Sequence, residues 1–127
     1  MIDFFKYNSA GNDFIIIDNR KKVFPLFSDS IKKLCDRKFG VGADGLISLE
    51  SHDTANYFMN YFNSDGVKSS FCGNGNMCCS HLAQHLNILS EENSGFFATR
   101  EGVFKNQVNN HYVSINMPNV LDVQNID

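Results

Sequence analysis

NSDGVKSSFCGNGNMCC, residues 63–79, carries the chain from an aromatic strand through a polar turn into a helix. Asn63-Ser64-Asp65-Gly66 has the residue types that stop a strand and reverse it. Cys72 stands directly before Gly73-Asn74-Gly75, whose glycines permit tight turning and close backbone approach. Asn74 or Asn76 is the candidate cap of the helix that follows. A helix start leaves several N–H groups without partners and so favours an anion. The same field stabilises a thiolate, so Cys72 is expected to be more acidic than a free thiol. Cysteine is often a small buried hydrophobe instead, but Asn and Gly neighbours do not build a core. The stretch therefore offers a base or nucleophile beside a carboxylate-sized anion site.

The helix is expected over residues 74–89. Cys78, Leu82, Leu86 and Leu89 form its buried stripe, widened by Cys79 and Ala83, with Ser80, His81, Gln84 and His85 on the wetter side. Upstream, residues 55–62 read as a strand with Tyr57, Met59 and Tyr61 on one face and Phe58 and Phe62 on the other. Earlier still come strands over 2–7 and 13–18, a helix over 28–38 capped by Ser28 or Asp29, and a short strand over 46–49. Downstream lie strands over 96–100, 103–108 and 111–117, with Asn109-Asn110 as a hairpin turn and Pro118 as the stop. Strands outnumber helices, and one helix is apolar enough to be enclosed. The expected architecture is α+β, a curved, mostly antiparallel sheet wrapped around a central helix, in a single domain over residues 1–127.

A chain of 127 residues with 43% hydrophobic content and twelve phenylalanines supports one real core, which argues against disorder. A net charge of −3 with scattered Lys and Arg gives no nucleic-acid footprint. No apolar run approaches the roughly 18 residues of a membrane span, and the first residues lack the basic and apolar regions of a signal peptide. Cys35, Cys72, Cys78 and Cys79 fit free thiols in a reducing cytoplasm better than disulfides, because three of them crowd one helix. Their spacing is not that of a zinc knuckle, and His81 and His85 lack a third ligand, so no metal site is expected. Gly40 to Gly45 fails the dinucleotide-loop spacing. Asn12, in the Gly11-Asn12-Asp13 turn, serves equally as a ligand donor or as a local turn former.

Three motifs in order, Asn8-Ser-Ala-Gly-Asn-Asp-Phe14, Gly40-Val-Gly-Ala-Asp-Gly-Leu46, and Phe62-Asn-Ser-Asp-Gly66 followed by Cys72-Gly-Asn-Gly-Asn-Met-Cys78, resemble those of diaminopimelate epimerases. The resemblance covers essentially the whole chain and is to the amino-terminal half of such an enzyme. It implies two similar domains facing across a cleft, and inversion of an amino-acid α-carbon without pyridoxal phosphate, any other cofactor or metal, using one cysteine from each domain. Cys72 then resembles the amino-terminal catalytic cysteine. Gly73 and Asn74 resemble the residues whose backbone meets the α-carboxylate, and Asn12 and Asn63 resemble ligands of the distal, unreacting end. Gly45 stands where some members have a substrate-contacting Gln and others share Ala-Asp-Gly. Met77 replaces the family's usual Arg.

Inverting a stereocentre by proton transfer needs a base on one face and an acid on the other. The family's second cysteine belongs to a carboxy-terminal half that these 127 residues do not contain, so the chain alone is expected not to epimerise. The implied partners are a small amino-acid substrate and a carboxy-terminal half, a second chain, or a homodimer of this chain. Two other readings are a non-catalytic binding or assembly module that keeps one cleft wall, and a related racemase or phenazine-pathway isomerase acting on another substrate.

Overall fold

In the computed structural model, β1 (Phe5–Ser9), β2 (Asn12–Asp18), α1 (Ser28–Cys35), β3 (Gly45–Glu50), β4 (Tyr57–Asn63), α2 (Gly73–His85), β5 (Ser94–Thr99), β6 (Gly102–Val108) and β7 (Val113–Asn116) follow in chain order. The structure describes residues 3–69, 73–90, 92–109 and 113–116. The strands form one sheet in the order β1 to β7. The β2–β3 and β4–β5 pairs are parallel and the others antiparallel. The parallel pairs are the two joined through helices, because a parallel return needs a long crossover.

α2 packs against β1, β2, β3, β4, β6 and β7. β1 and β7 are opposite edges of the sheet. Laid flat, seven strands at the usual spacing would separate those edges by about 29 Å, whereas a helix with its side chains is only about 10 Å wide. The sheet therefore curls around α2, which is the expected α+β architecture. α1 covers the opposite face. Phe14 and Ile16 of β2 join the core under α2 with Leu49, Tyr57, Met59, Cys79 and Leu82. Ile15 and Ile17 join Ile31, Cys35, Leu46 and Phe62 on the α1 side. A strand covered on both faces needs an unbroken apolar run, and β2 has one. β4 alternates as expected, with Tyr57, Met59 and Tyr61 toward α2 and Phe62 toward α1.

Both helices are shorter than the periodicity suggests. α1 ends at Cys35 because Asp36 is extended (ψ 124°) and its carboxylate accepts the N–H groups of Lys38 and Phe39. That local bonding competes with another helical turn. Its cap position is Phe27, not Ser28 or Asp29, and no side chain caps it. α2 ends at His85 because Asn87 is left-handed (φ 61°) and Ile88 N–H returns to the Ala83 carbonyl. This is a helix-terminating geometry that Asn tolerates. Leu86 and Leu89 still pack against the core, from beyond the helix. α2 opens at Gly73, so neither Asn74 nor Asn76 stands at its cap. Asn76 is instead fully buried, with its amide unpartnered among the described residues.

Ser80 departs furthest from expectation. It is fully buried rather than wet, because β6 closes over that side of α2. Its hydroxyl lies 3.3 Å from the Tyr57 hydroxyl and accepts from the Asn106 amide at 2.8 Å, which also donates to Tyr57 at 3.0 Å. Ser80→Ala leaves those two groups short of a partner in the core. It is expected to lower stability by about 1–3 kcal/mol, read as a drop in the urea midpoint. An unchanged midpoint would contradict the network's role. The expected strand start at Ile2, the turn residue Asn110, the strand limits His111 and Met117, and the stop at Pro118 lie outside the described residues.

Candidate functional site

Strand register determines which residues share an end of the sheet. Gly45 pairs with Phe14 on one side and Asn63 on the other, so the start of β3 lies between β2 and the end of β4. Asn12, two residues before Phe14, closes the β1–β2 hairpin opposite Ser9. The hairpin turn is Ala10 (φ 51°) and Gly11 (φ 88°), the positive-φ pair that a two-residue hairpin favours. α2 starts at this same end. Asn56, just before β4, donates to the Ile88 carbonyl beyond the helix's far end. Toward its start, the His81 Nδ1 atom is 3.1 Å from the Tyr7 hydroxyl, and Met77 and Cys78 share a cleft of about 270 Å³ with Asn8 and Ser9. One further turn brings Gly73 and Asn74 to the end occupied by Asn12, Gly45 and Asn63.

Asn63 and Gly73 are exposed, and Asn12 and Asn74 half-buried. A Cβ on Gly73 would meet nothing within 4 Å among the described residues. Cys72 lies outside the described residues; in the chain it is one peptide bond ahead of Gly73. Met77 is 38% exposed at the cleft beside Tyr7.

An ion-pair cluster ties the Asn12 hairpin to the loop that delivers Gly45. The Asp13 carboxylate accepts from Arg37 at 2.8 and 3.0 Å and from the Asp44 N–H at 2.9 Å, with Lys6 at 3.2 Å. Arg37 also reaches the Asp44 carboxylate at 3.0 Å, which accepts the Asp13 N–H at 3.1 Å. The loop reaches this position by folding tightly over the end of α1. A Cβ at Gly40 would lie 2.0 Å from the Lys33 carbonyl oxygen, so only glycine fits.

The bonds from Arg37, ahead of those from Asp44 N–H and Lys6, hold the Asp13 carboxyl well below the usual carboxylate range. A depressed folded value means the stabilisation is complete above the unfolded pKa of about 3.9 and is lost as pH falls toward the folded one. Arg37→Ala is expected to raise the Asp13 midpoint toward about 3.9, followed by carboxyl-carbon NMR. A midpoint that stays where it was would remove Arg37 as the cause.

Cys35, Cys78 and Cys79 are buried, packed as the helical stripes require. Burial pushes the Cys35 thiol up to about 11, with the nearby Asp13 charge adding to it. Burial raises Cys79 further, with Cys78 contributing. Neither is suited to act as a base near neutral pH. Among the described residues, no three His, Cys, Asp or Glu side chains gather closely enough to hold a metal ion.

Arg100 was not legible as a site-supporting residue. Its guanidinium donates to the Ser69 carbonyl at 2.8 Å and to the Asn60 side chain, anchoring the segment that leaves β4 for α2. Arg37 was equally hidden, because its partner Asp13 is far from it in the chain and no local pattern links them.

The fold is that of solved phenazine biosynthesis proteins of the PhzF family. The Bacillus anthracis protein superposes with a TM-score of 0.66 over 90% of this chain and 39% of its own, at 22% identity. The Enterococcus faecalis protein gives 0.62 over 81% of this chain and 36% of its own, at 13% identity. The diaminopimelate epimerase family model matches residues 4–121, and the chain belongs to that family. The diaminopimelate epimerase of Flavobacterium psychrophilum is 46% identical over 121 residues, covering 94% of this chain and 46% of the relative. That of Campylobacter jejuni subsp. doylei is 36% identical over 122 residues, covering 96% and 47%. The chain therefore spans about half the length of these curated relatives.

Proposed function

We propose that this chain is one half of a cofactor-independent amino-acid epimerase that interconverts LL- and meso-diaminopimelate. The observation that supports the reading is the placement of Asn12 and Asn63 by strand register toward the end of the sheet where α2 starts at Gly73 and Asn74, with Cys72 next in sequence to the helix start. In this reading the Cys72 thiolate removes the α-proton from one face of the substrate. The electron pair left on carbon delocalises into the α-carboxylate, held by the backbone N–H groups of Gly73 and Asn74. A thiol on the opposite face returns a proton to carbon, and the two sulfurs exchange protonation states over the cycle. Donors aimed at developing charge of this kind are worth roughly 3 kcal/mol each. Asn12 and Asn63 bind the distal amino-acid group, which does not react, and so supply substrate selectivity.

The opposite thiol comes from a carboxy-terminal half; inversion by residues 1–127 alone would assign it to a second copy of this chain instead. The exposure of Asn63 and Gly73 favours a site that needs such a cover, since closing water out strengthens every charge interaction inside. Residues 1–127 by themselves are therefore proposed not to invert the substrate. The setting proposed is a reducing cytoplasm, in keeping with the buried thiols of Cys35 and Cys79. No helix among the described residues is long and apolar enough to cross a membrane.

The test follows the diaminopimelate α-proton signal by NMR in D2O, with the native protein that carries this chain and with residues 1–127 alone. Exchange with inversion in the first and no inversion in the second is the expected pair of results. A native protein that leaves the α-proton in place would overturn the reading in favour of a binding module or another substrate.

A further inference from the structure

Gly45 has no room for a side chain. A Cβ there would stand 2.7 Å from Tyr61 Cε1, 2.8 Å from the Tyr61 hydroxyl oxygen and 2.8 Å from the Phe62 carbonyl oxygen. Tyr61 is two residues before Asn63 on β4 and projects toward the α2 side of the sheet. Its register partner is Ile47, yet its ring leans along the strands to cover Gly45. An edge contact with Phe14, at 6.0 Å between ring centroids and 66° between planes, holds it there. Phe14, Gly45 and Asn63 are successive register neighbours at the candidate-site end. The ring thus carries a hydroxyl to the strand that separates the strand of Asn12 from that of Asn63, on a residue only 9% exposed.

We propose that Tyr61 is a specificity-determining residue of this site, its hydroxyl hydrogen-bonding the substrate's unreacting amino-acid group in the space that a side chain at position 45 would fill. The proposal rests on the epimerase reading and adds a contact to it. A phenol both donates and accepts and stays neutral near pH 7, so it bonds a carboxylate or an ammonium without placing a new charge in the cleft. Having both capacities, it can serve a substrate while keeping a protein partner. Its ring is locked before the substrate arrives, so little side-chain freedom is lost on binding. The same geometry accounts for glycine at position 45, where a methyl group would displace the ring.

Steady-state kinetics of Tyr61→Phe in the native protein carrying this chain tests the assignment, because the ring and its packing are kept. The expected result is a KM for diaminopimelate raised about tenfold, the size of one lost hydrogen bond to a charged group, with kcat within about twofold. That split marks binding energy used equally in ground and transition states. Gly45→Ala is expected to raise KM through displacement of the hydroxyl, and the Gly45→Ala/Tyr61→Phe double variant to add less than the sum of the two. An unchanged KM in Tyr61→Phe, a fall in kcat alone, or fully additive effects would overturn the Tyr61 assignment while leaving the epimerase reading intact. A wild-type protein that does not turn over diaminopimelate would overturn both.

Discussion

Cys72→Ala is expected to slow loss of the diaminopimelate α-proton by about a thousandfold or more, the scale on which a positioned general base contributes. An amino-acid α-proton is very weakly acidic, so the base must be close, ionised and backed by donors on the carboxylate. The sequence puts Cys72 one bond ahead of Gly73, the first residue of α2, and a helix start favours the thiolate. No other described thiol replaces it. Cys35 and Cys79 are buried with their thiols pushed up, and Cys78 is packed in the core. A thiol reagent near neutral pH should therefore modify the native protein at Cys72 well before these three. NMR in D2O reads the exchange directly. A Cys72→Ala protein that keeps wild-type exchange would assign the base elsewhere and dismantle the proposed mechanism.

Leu82→Ala is expected to cost about 3 kcal/mol, in the range for a leucine removed from a core that cannot fully collapse. At about 4 °C per kcal/mol for a domain of this size, the thermal midpoint falls by about 12 °C. Leu82 has no exposed surface and lies on the face of α2 that the sheet encloses. With strands on most sides of the helix, no single layer can slide inward to fill the space. Thermal unfolding followed by circular dichroism checks this. A loss under about 1 kcal/mol would mean that the sheet relaxes around α2, and the enclosing curl would then be loose rather than close-packed.

The order of elements was legible because each strand carries its own period and each helix its own stripe. The alternation of Tyr57, Met59 and Tyr61 against Phe62 predicted the two faces of β4, and the structure buries them on opposite sides. Helix ends were not legible. Asp36 and Asn87 stop their helices through a side-chain bond and a left-handed backbone, and neither leaves a mark in the apolar periodicity. Ser80 was misread for a different reason. Hydropathy assigns a serine to solvent, but the curl of the sheet brings Tyr57 and Asn106 to its hydroxyl.

Of the candidate site, the sequence by itself determined the residue types and one local arrangement: a polar turn at Asn63, a cysteine ahead of Gly73-Asn74, and an Asn in a tight hairpin. These are readable because turns, helix starts and thiol acidity are set by neighbours in the chain. The tertiary structure alone brings Asn12, Asn63, Gly73 and Asn74 toward one end of the sheet. It also decided that Asp13, Arg37 and Asp44 lock that end together, and that Tyr61 takes the side-chain space of Gly45. Those facts depend on strand register and on the curl around α2, which bring into contact residues separated by tens of positions in sequence.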